Sequence, residues 1–197
     1  MKEQAALLEG CYQAGIQNLG TLKTLTMLSE SGDMSVSEVA IRLDEDSNHR
    51  MWNKLEQLLF LGFLKKRLQS NPKGYGKKIA YYSTTEECDK LVKLCGLSVE
   101  QWDEILELST SIHNLEVLSI MRDLGGVDLT VDEINEEHGK RDMSSFIRYS
   151  CLKEFTSRER KGNNKMFHYS IDEKGEKLLE LASSIGKGAK DFSKRST

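Results

Sequence analysis

An internal repeat of about 90 residues limits the fold of this 197-residue chain more than any other feature of its sequence. Four blocks recur in the same order at offsets of 87 to 95 residues, and the offset changes only where a turn is predicted. In the last pair of blocks, seven of seventeen positions are identical, Tyr82 and Tyr169 among them. Ordered matches of this kind indicate that one structural unit has been duplicated. The aligned blocks are 22–28 with 115–121, 35–39 with 130–134, 51–63 with 143–155, and 78–94 with 165–181.

Each copy of the repeat predicts three helices in succession. Leucines three residues apart, at Leu22, Leu25 and Leu28, indicate a helix that buries one face. Ser35 with Glu38, and Thr130 with Glu133, match the capping box that opens a helix, in which a hydroxyl and a carboxylate each accept a backbone N–H. The predicted helices are 19–30, one opening at 35 and 47–61 in the first copy, and 112–124, one opening at 130 and 142–153 in the second.

Two strands and a fourth helix complete each copy. Turn-forming glycine and asparagine residues at 71–76 and 162–164 separate two short segments in each copy. The segment before the turn is rich in charged residues, and the segment after it is rich in aromatic residues, which favours two paired strands. The fold class expected from this order is mainly α with small β-hairpins, an α+β architecture. The predicted strands are 63–68, 79–82, 155–160 and 166–169, and the predicted final helices are 84–95 and 172–183.

Two further amphipathic helices are predicted outside the copies, at 3–18 and 98–108. They either join two chains in a homodimer or pack the two copies of one chain together, and the sequence leaves both roles open. The domain organisation expected is an N-terminal helix at 1–18, a first domain at 19–96, a linker helix at 97–110, a second domain at 111–183 and a flexible basic tail at 184–197.

Three helices followed by a basic hairpin resemble a winged helix-turn-helix domain, and the resemblance covers almost the whole chain, twice. The Ser/Thr-capped second helix, the third helix ending near 62–64 and the charged hairpin are similar to those of MarR-like and ArsR-like transcriptional regulators. The resemblance implies a third helix that enters the DNA major groove and a hairpin, the wing, that touches the backbone or the minor groove. Such regulators usually dimerise, and the fusion of two copies offers a replacement for that dimer within one chain. Tandem winged helices also occur in plasmid- or phage-type replication initiators, and winged helices also serve as protein-docking modules. A replication initiator, and a docking scaffold in which the wings contact an acidic partner, therefore stay open as alternatives.

The distribution of charge agrees with a polyanionic partner although the net charge is −3. Residues 47–82 hold eight lysines and arginines against one glutamate, and residues 140–169 hold eight against three acidic residues. The rest of the chain holds 12 basic and 27 acidic residues. Positive charge is therefore concentrated in the third helix and hairpin of each copy, where a phosphate backbone would need it.

The residues expected to contact double-stranded DNA follow from this placement. Asparagine and glutamine suit adenine, and arginine suits guanine, through paired hydrogen bonds in the major groove, while hairpin cations suit phosphates. For the first copy the predicted residues are Asn48, His49, Arg50, Asn53, Lys54, Gln57, Lys65, Arg67, Lys73, Tyr75 and Lys77. For the second they are Arg141, Ser144, Ser145, Arg148, Tyr149, Arg158, Arg160, Lys161, Asn163, Asn164 and Lys165.

Other function classes find little support in the sequence. No nucleotide-binding loop, dinucleotide fingerprint, zincin motif or nucleophile elbow is present, so we expect neither an enzyme nor a cofactor. The four cysteines lack metal-ligand spacing and are expected to be reduced and mostly buried, with a redox pair of Cys88 and Cys95 as the alternative. No segment reaches the roughly 18 apolar residues of a membrane span, and no signal peptide is evident, so a cytoplasmic protein is expected.

Overall fold

The computed structural model describes residues 2–71, 76, 78–138, 154–161 and 166–187. Within these ranges, no helix combines the length and the apolar character that crossing a membrane requires. The predicted third helix of the second copy, at 142–153, lies outside them, as do both hairpin tips.

Two series of helices and strands follow each other, and over the described residues their elements come in the same order, with the helix at Asn48–Phe60 as the one element of the first series that has no described counterpart in the second. Helix α1 (Lys2–Gln13) precedes a first unit of α2 (Leu19–Ser31), β1 (Met34–Ser35), α3 (Val36–Arg42), α4 (Asn48–Phe60), β2 (Leu64–Ser70), β3 (Lys78–Thr84) and α5 (Glu86–Cys95). Helix α6 (Val99–Leu108) leads to a second unit of α7 (Ile112–Asp123), β4 (Leu129–Thr130), α8 (Val131–His138), β5 (Thr156–Lys161), β6 (Met166–Ile171) and α9 (Glu173–Leu181). The predicted elements that fall on described residues are therefore confirmed, with ends that differ by a few residues.

Both predicted capping boxes are confirmed. The Ser35 hydroxyl accepts the Glu38 N–H at 3.4 Å, and the Glu38 carboxylate accepts the Ser35 N–H at 2.7 Å. Thr130 and Glu133 repeat the arrangement, at 3.3 Å and 2.7 Å. Each box supplies acceptors for N–H groups that the first helical turn would otherwise leave unpaired, which fixes where α3 and α8 begin.

The N-terminal helix is shorter than predicted. It ends at Gln13 rather than at 18, because Gly15 adopts a left-handed conformation with φ of 89°. This turn lets the Ile16 N–H donate to the carbonyl of Cys11 at 2.9 Å, which is the hydrogen-bond pattern that closes a helix. Ile16 still contributes to the core, where its side chain is buried.

Each predicted hairpin gains a third strand. The strand orders are β1-β3-β2 and β4-β6-β5, all antiparallel. Met34 pairs with Tyr82, and Leu129 pairs with Tyr169, so the two sheets are built alike. The sequence did not reveal β1 and β4 because a strand of two residues is too short to show alternation. The α+β fold class is confirmed by these sheets and by the helices around them.

The helices outside the two units pack in an exchanged manner. Helix α1 precedes the first unit but packs mainly on α7 of the second, whereas α6 precedes the second unit but packs mainly on α2 of the first, and also touches α9 of its own unit. Trp102 of α6 is fully buried, and its indole N–H donates to the Thr26 hydroxyl of α2 at 3.0 Å. These helices therefore make the intramolecular contacts that were one of their two predicted roles, and a homodimer through them stays a prediction.

The start of the predicted tail belongs to the packed structure. Ile185 is buried, and the Gly186 N–H donates to the carbonyl of Leu94 at 3.0 Å. Nearby, the side-chain amide of Gln4 of α1 donates to the carbonyl of Ala182 at 2.7 Å. Residues 184–187 thus differ from the expected flexible tail, because an apolar side chain and a backbone hydrogen bond hold them. The rest of the tail lies outside the described residues.

Candidate nucleic-acid interface

Helix α4 presents a polar face to solvent because its apolar residues are spaced to bury the other one. Ser47 caps its start by accepting the Arg50 N–H at 3.2 Å. Met51, Leu55 and Leu58 are buried. Five of the six predicted contact residues on this helix are exposed: Asn48, His49, Arg50, Asn53 and Gln57.

Part of this face is held in place by contacts between its own side chains. The rings of His49 and Trp52 stack at a centroid distance of 6.0 Å with an interplanar angle of 22°. The side-chain nitrogen of Asn53 lies 3.3 Å from Nε2 of His49. Such contacts reduce the rotamer freedom that the side chains would lose on binding a ligand.

Lys54 does not lie on the exposed face, contrary to the prediction. Its ammonium group points back to α2 and donates to the carbonyl of Gly20 at 3.0 Å. Burial lowers the pKa of Lys54 from 10.5 to about 8, against the opposing effect of nearby Glu45. Residue 54 directly follows the exposed Asn53, and the helical period turns it toward α2. Its aliphatic stem is covered there, and its charge is unavailable to a phosphate.

The inner face of the first hairpin carries a neutralised cation. The Lys66 ammonium and the Tyr82 hydroxyl both donate to the Glu56 carboxylate of α4, each at 2.5 Å. These two hydrogen bonds lower the pKa of Glu56. Burial and the bond to Glu56 raise the pKa of Tyr82. The network ties the hairpin to α4 and consumes one of the charges that the sequence assigns to a phosphate-binding surface.

The outer face of the first hairpin carries Lys65 and Arg67, both exposed. Arg67 pairs with Tyr81 across the strands and forms an ion pair with Asp33, which directly precedes β1. Arg67 is therefore present at the predicted place but already has a carboxylate partner. The other predicted residues of this hairpin, Lys73, Tyr75 and Lys77, lie outside the described residues.

The second hairpin presents two arginines on one sheet face. Arg158 and Arg160 are exposed, and their guanidinium carbons lie 4.8 Å and 4.7 Å from the centroid of the Phe167 ring. Arg160 is opposite Phe167 and Arg158 is opposite Tyr169 in the strand register. Cation–π contacts of this kind orient the guanidinium groups and leave their charge uncompensated.

Lys161, on the opposite face of the second sheet, is less available than predicted. Its ammonium lies 2.7 Å from Asp128, whose carboxylate also lies 3.1 Å from Nδ1 of His168. The hydrogen bond from Lys161 is the main cause of the lowered pKa of Asp128. These side chains line a cavity of about 220 Å³ on that face. The remaining predicted residues of the second unit lie outside the described residues: Arg141, Ser144, Ser145, Arg148, Tyr149, Asn163, Asn164 and Lys165.

The sequence interpretation missed an apolar component of the first unit. Among the described residues of that unit, four large apolar side chains are exposed: Ile41 of α3 (79%), Trp52 (43%) and Phe60 (90%) of α4, and Leu68 of β2 (58%). The available signal was their position, since Trp52 and Phe60 fall outside the buried Met51, Leu55 and Leu58 stripe on α4. Exposed apolar side chains of this size often mark a binding surface.

An acidic turn lies directly before α4, next to the basic segment of the first unit. Asp44, Glu45 and Asp46 directly precede the segment counted from residue 47. Asp44 and Asp46 are exposed, and Asp44 adopts a left-handed conformation with φ of 52°. Counted from residue 44, the first unit's eight basic residues are set against four acidic ones, so its electrostatic attraction for phosphate is weaker than the sequence suggested.

Buried thiols behave as expected for structural cysteines. Cys11, Cys88 and Cys95 are free and buried. Burial raises the pKa of Cys11 and of Cys88 to about 12, and raises the pKa of Cys95 well above its ordinary value. At neutral pH these groups are protonated and unreactive, which argues against the redox pair. Cys151 lies outside the described residues.

Two further observations concern ligands. A cavity of about 280 Å³ between α1, α7 and α8 is lined by the acidic side chains of Glu9, Glu116, Asp123 and Glu137, which would repel an anion. In the part of the chain that the structure describes, no group of three or more histidine, cysteine and carboxylate side chains is arranged to hold a metal ion.

Comparisons with protein-family models, with curated proteins and with solved structures gave no match to this chain.

Proposed function

We propose that this protein binds double-stranded DNA sequence-specifically and regulates transcription, with each unit acting as a winged helix. In this proposal α4 of the first unit enters the major groove, and the hairpins of both units contact the backbone or the minor groove. No catalytic step is involved, and the protein acts through its position on DNA.

The observation that carries the proposal is the exposed polar row on α4 beside a charged hairpin. Arg50, Asn53 and Gln57 offer the guanidinium and amide groups that pair with base edges in the major groove. An α-helix fits that groove, and the neighbouring hairpin is placed by Lys66 and Tyr82 through Glu56.

The second hairpin supports the same proposal independently. Arg158 and Arg160 are exposed and oriented by Phe167, and neither forms an ion pair within the described part of the chain. Guanidinium groups bind phosphates in a bidentate manner, so this pair is suited to a nucleic-acid backbone. The two units thereby offer two separate contact regions.

A protein-docking scaffold is a second candidate function, and the exposed Trp52, Phe60, Ile41 and Leu68 favour it. With the acidic turn at 44–46, these side chains would suit an apolar segment flanked by basic residues. The two functions predict different responses to salt, because phosphate contacts weaken steeply as salt rises whereas apolar contacts do not.

The test combines site selection with an intrinsic fluorophore. Duplexes retained from a random pool at low salt give the preferred site, and their affinity is then measured by fluorescence anisotropy. Of the two tryptophans, Trp52 lies on the proposed contact face and Trp102 is fully buried. DNA binding should change the emission of the wild type but not of Trp52→Phe, in which only Trp102 reports.

A matched pair of variants then separates specific contacts from charge. Arg50→Ala should weaken binding to the selected site by about 1–3 kcal/mol, as expected for a bidentate contact to a base. Lys93→Ala removes the same charge from an exposed position on α5 and should change affinity little. Equal effects of the two variants, or no retention of any duplex, would reject the proposal.

A further inference from the structure

The two units meet at equivalent positions of the repeat. Asn18 and Ser111 are the N-cap residues of α2 and α7, and they form an isolated antiparallel bridge. They lie 93 residues apart, which is the offset at which α2 aligns with α7 in the sequence. The Leu19 N–H donates to the carbonyl of Thr110 at 2.9 Å beside the bridge. An antiparallel bridge between equivalent residues has a local two-fold axis between them.

The exchanged packing of α1 and α6 agrees with that axis. If the units were related by translation along the chain, α1 would contact α2 in the same way as α6 contacts α7. Instead α1 packs on α7 and α6 packs on α2, and such reciprocal contacts are those that a two-fold rotation produces. Leu8 of α1 and Trp102 of α6 are both fully buried, so the relation is fixed by the core.

From this we infer that one chain binds an inverted pair of unlike half-sites. The inference rests on the proposed function and specifies the DNA that it would take. Duplex DNA has local two-fold axes of its own, so a two-fold protein places equivalent elements on half-sites of opposite orientation. Because both units belong to one chain, the complex contains a single protein molecule per site.

The half-sites are unlike because equivalent positions carry different side chains. At the repeat offset of 92, the base-reading candidates Arg50, Asn53 and Gln57 of the first copy correspond in the sequence to Asp142, Ser145 and Tyr149 of the second. Guanidinium and amide groups in the first copy are thus replaced by a carboxylate, a hydroxyl and a phenol in the second, and these groups pair with different base edges. A half-site sequence that suits one unit therefore does not suit the other. A perfectly symmetric site would bind one unit well and the other poorly.

The test uses the duplex selected by the wild-type protein and three rearrangements of equal length and spacing. One rearrangement reverses a single half to give a direct repeat, and two make the site symmetric by duplicating the left or the right half. Anisotropy gives the affinities, and native mass spectrometry gives the number of chains per duplex. We expect one chain per duplex, at least tenfold weaker binding to the direct repeat, and weaker binding to both symmetric sites.

The possible failures separate cleanly. A selected site that is a direct repeat, equal binding after one half is reversed, or two chains on each duplex would overturn the inference while DNA binding itself stood. Failure to bind any duplex at low salt would overturn the proposed function. Arg50→Ala supplies an internal check. Arg50 reads only the half-site of the first unit, so the variant should lose preference for the selected site over the symmetric site that lacks this half. Its preference over the other symmetric site should stay unchanged.

Discussion

The described elements of the two units follow the same order, apart from α4, but the two hairpins offer different groups to a partner. In the first, Lys66 is bound to Glu56 and Arg67 to Asp33, and the exposed surface includes Trp52 and Phe60. In the second, Arg158 and Arg160 lie over Phe167. One duplicated scaffold therefore supports two surfaces of different chemistry. Counting lysines and arginines along a segment does not distinguish them, because it ignores which charges are already paired.

The pairing matters more for ligand binding than for stability. Exposed ion pairs such as Arg67 with Asp33 contribute about 0–1 kcal/mol to folding. A carboxylate beside a cation nevertheless cancels most of the cation's attraction for a phosphate at distances larger than the separation of the pair, and salt screens what remains beyond about 8 Å. We therefore expect the second unit to supply most of the salt-dependent affinity and the first to supply more of the sequence discrimination.

The largest expected difference between the units concerns a buried charge. Lys54 corresponds to Phe146 at the repeat offset of 92. Below pH 8 both folded and unfolded chains carry the Lys54 ammonium, and the folded state bears the full penalty of burying it. Between pH 8 and 10.5 the folded state loses that proton while the unfolded chain keeps it, so the wild type gains stability as pH rises.

Lys54→Met tests this difference by urea unfolding from pH 7 to 10.5. The free energy of unfolding of the variant minus that of the wild type should fall by about 3 kcal/mol over this range, since one pKa unit is 1.36 kcal/mol. Lys65→Met, at an exposed position, is the control and should show no such trend. A difference independent of pH would mean that Lys54 is not buried in the folded protein.

The second prediction addresses the unequal hairpins. Arg158→Ala with Arg160→Ala should weaken DNA binding at low salt at least tenfold and reduce the slope of log K against log salt by about 2. Arg67→Ala should have a smaller effect, because Asp33 already neutralises that guanidinium. The matched control is Lys93→Ala with Lys177→Ala, which removes the same charge from α5 and α9. An equal loss in the control would show that net charge, not the hairpin, governs affinity.

Much of the fold followed from the sequence because the repeat checked each element twice. The capping boxes at Ser35 and Thr130 and the apolar stripes gave the helices, since these signals depend on neighbours along the chain. The strands β1 and β4 were missed because two residues show no period.

The candidate site was harder to predict. The partners of Lys66 and Arg67, and the burial of Lys54, depend on residues 10 to 34 positions away that only the folded chain brings together.

The third prediction compares two equivalent tyrosines. The Tyr82 hydroxyl donates to Glu56, whereas the buried Tyr169 hydroxyl has no hydrogen-bond partner in the described part of the chain. Tyr82→Phe should lower the free energy of unfolding by about 1.5–3 kcal/mol, because it removes a hydrogen bond to a charged group. Tyr169→Phe should lie within about 0.5 kcal/mol of the wild type, since it removes an unpaired hydroxyl. The effect of Tyr82→Phe should shrink as pH falls below 4.5, the ordinary pKa of the glutamate, and Glu56 becomes protonated.

The smallest expected effect concerns the turn before α4. At the repeat offset of 95, Asp44, Glu45 and Asp46 correspond to Gly139, Lys140 and Arg141, so the two units have opposite charge at this point of the sequence. Asp44→Asn with Asp46→Asn removes two charges that repel phosphate, and asparagine tolerates the left-handed conformation of residue 44. Affinity for random duplex at low salt should rise about threefold, while stability falls by less than about 1 kcal/mol because acidic residues near a helix start are favourable. Unchanged DNA affinity would mean that the start of α4 does not approach the backbone, and it would favour a protein partner for the exposed Trp52 and Phe60 instead.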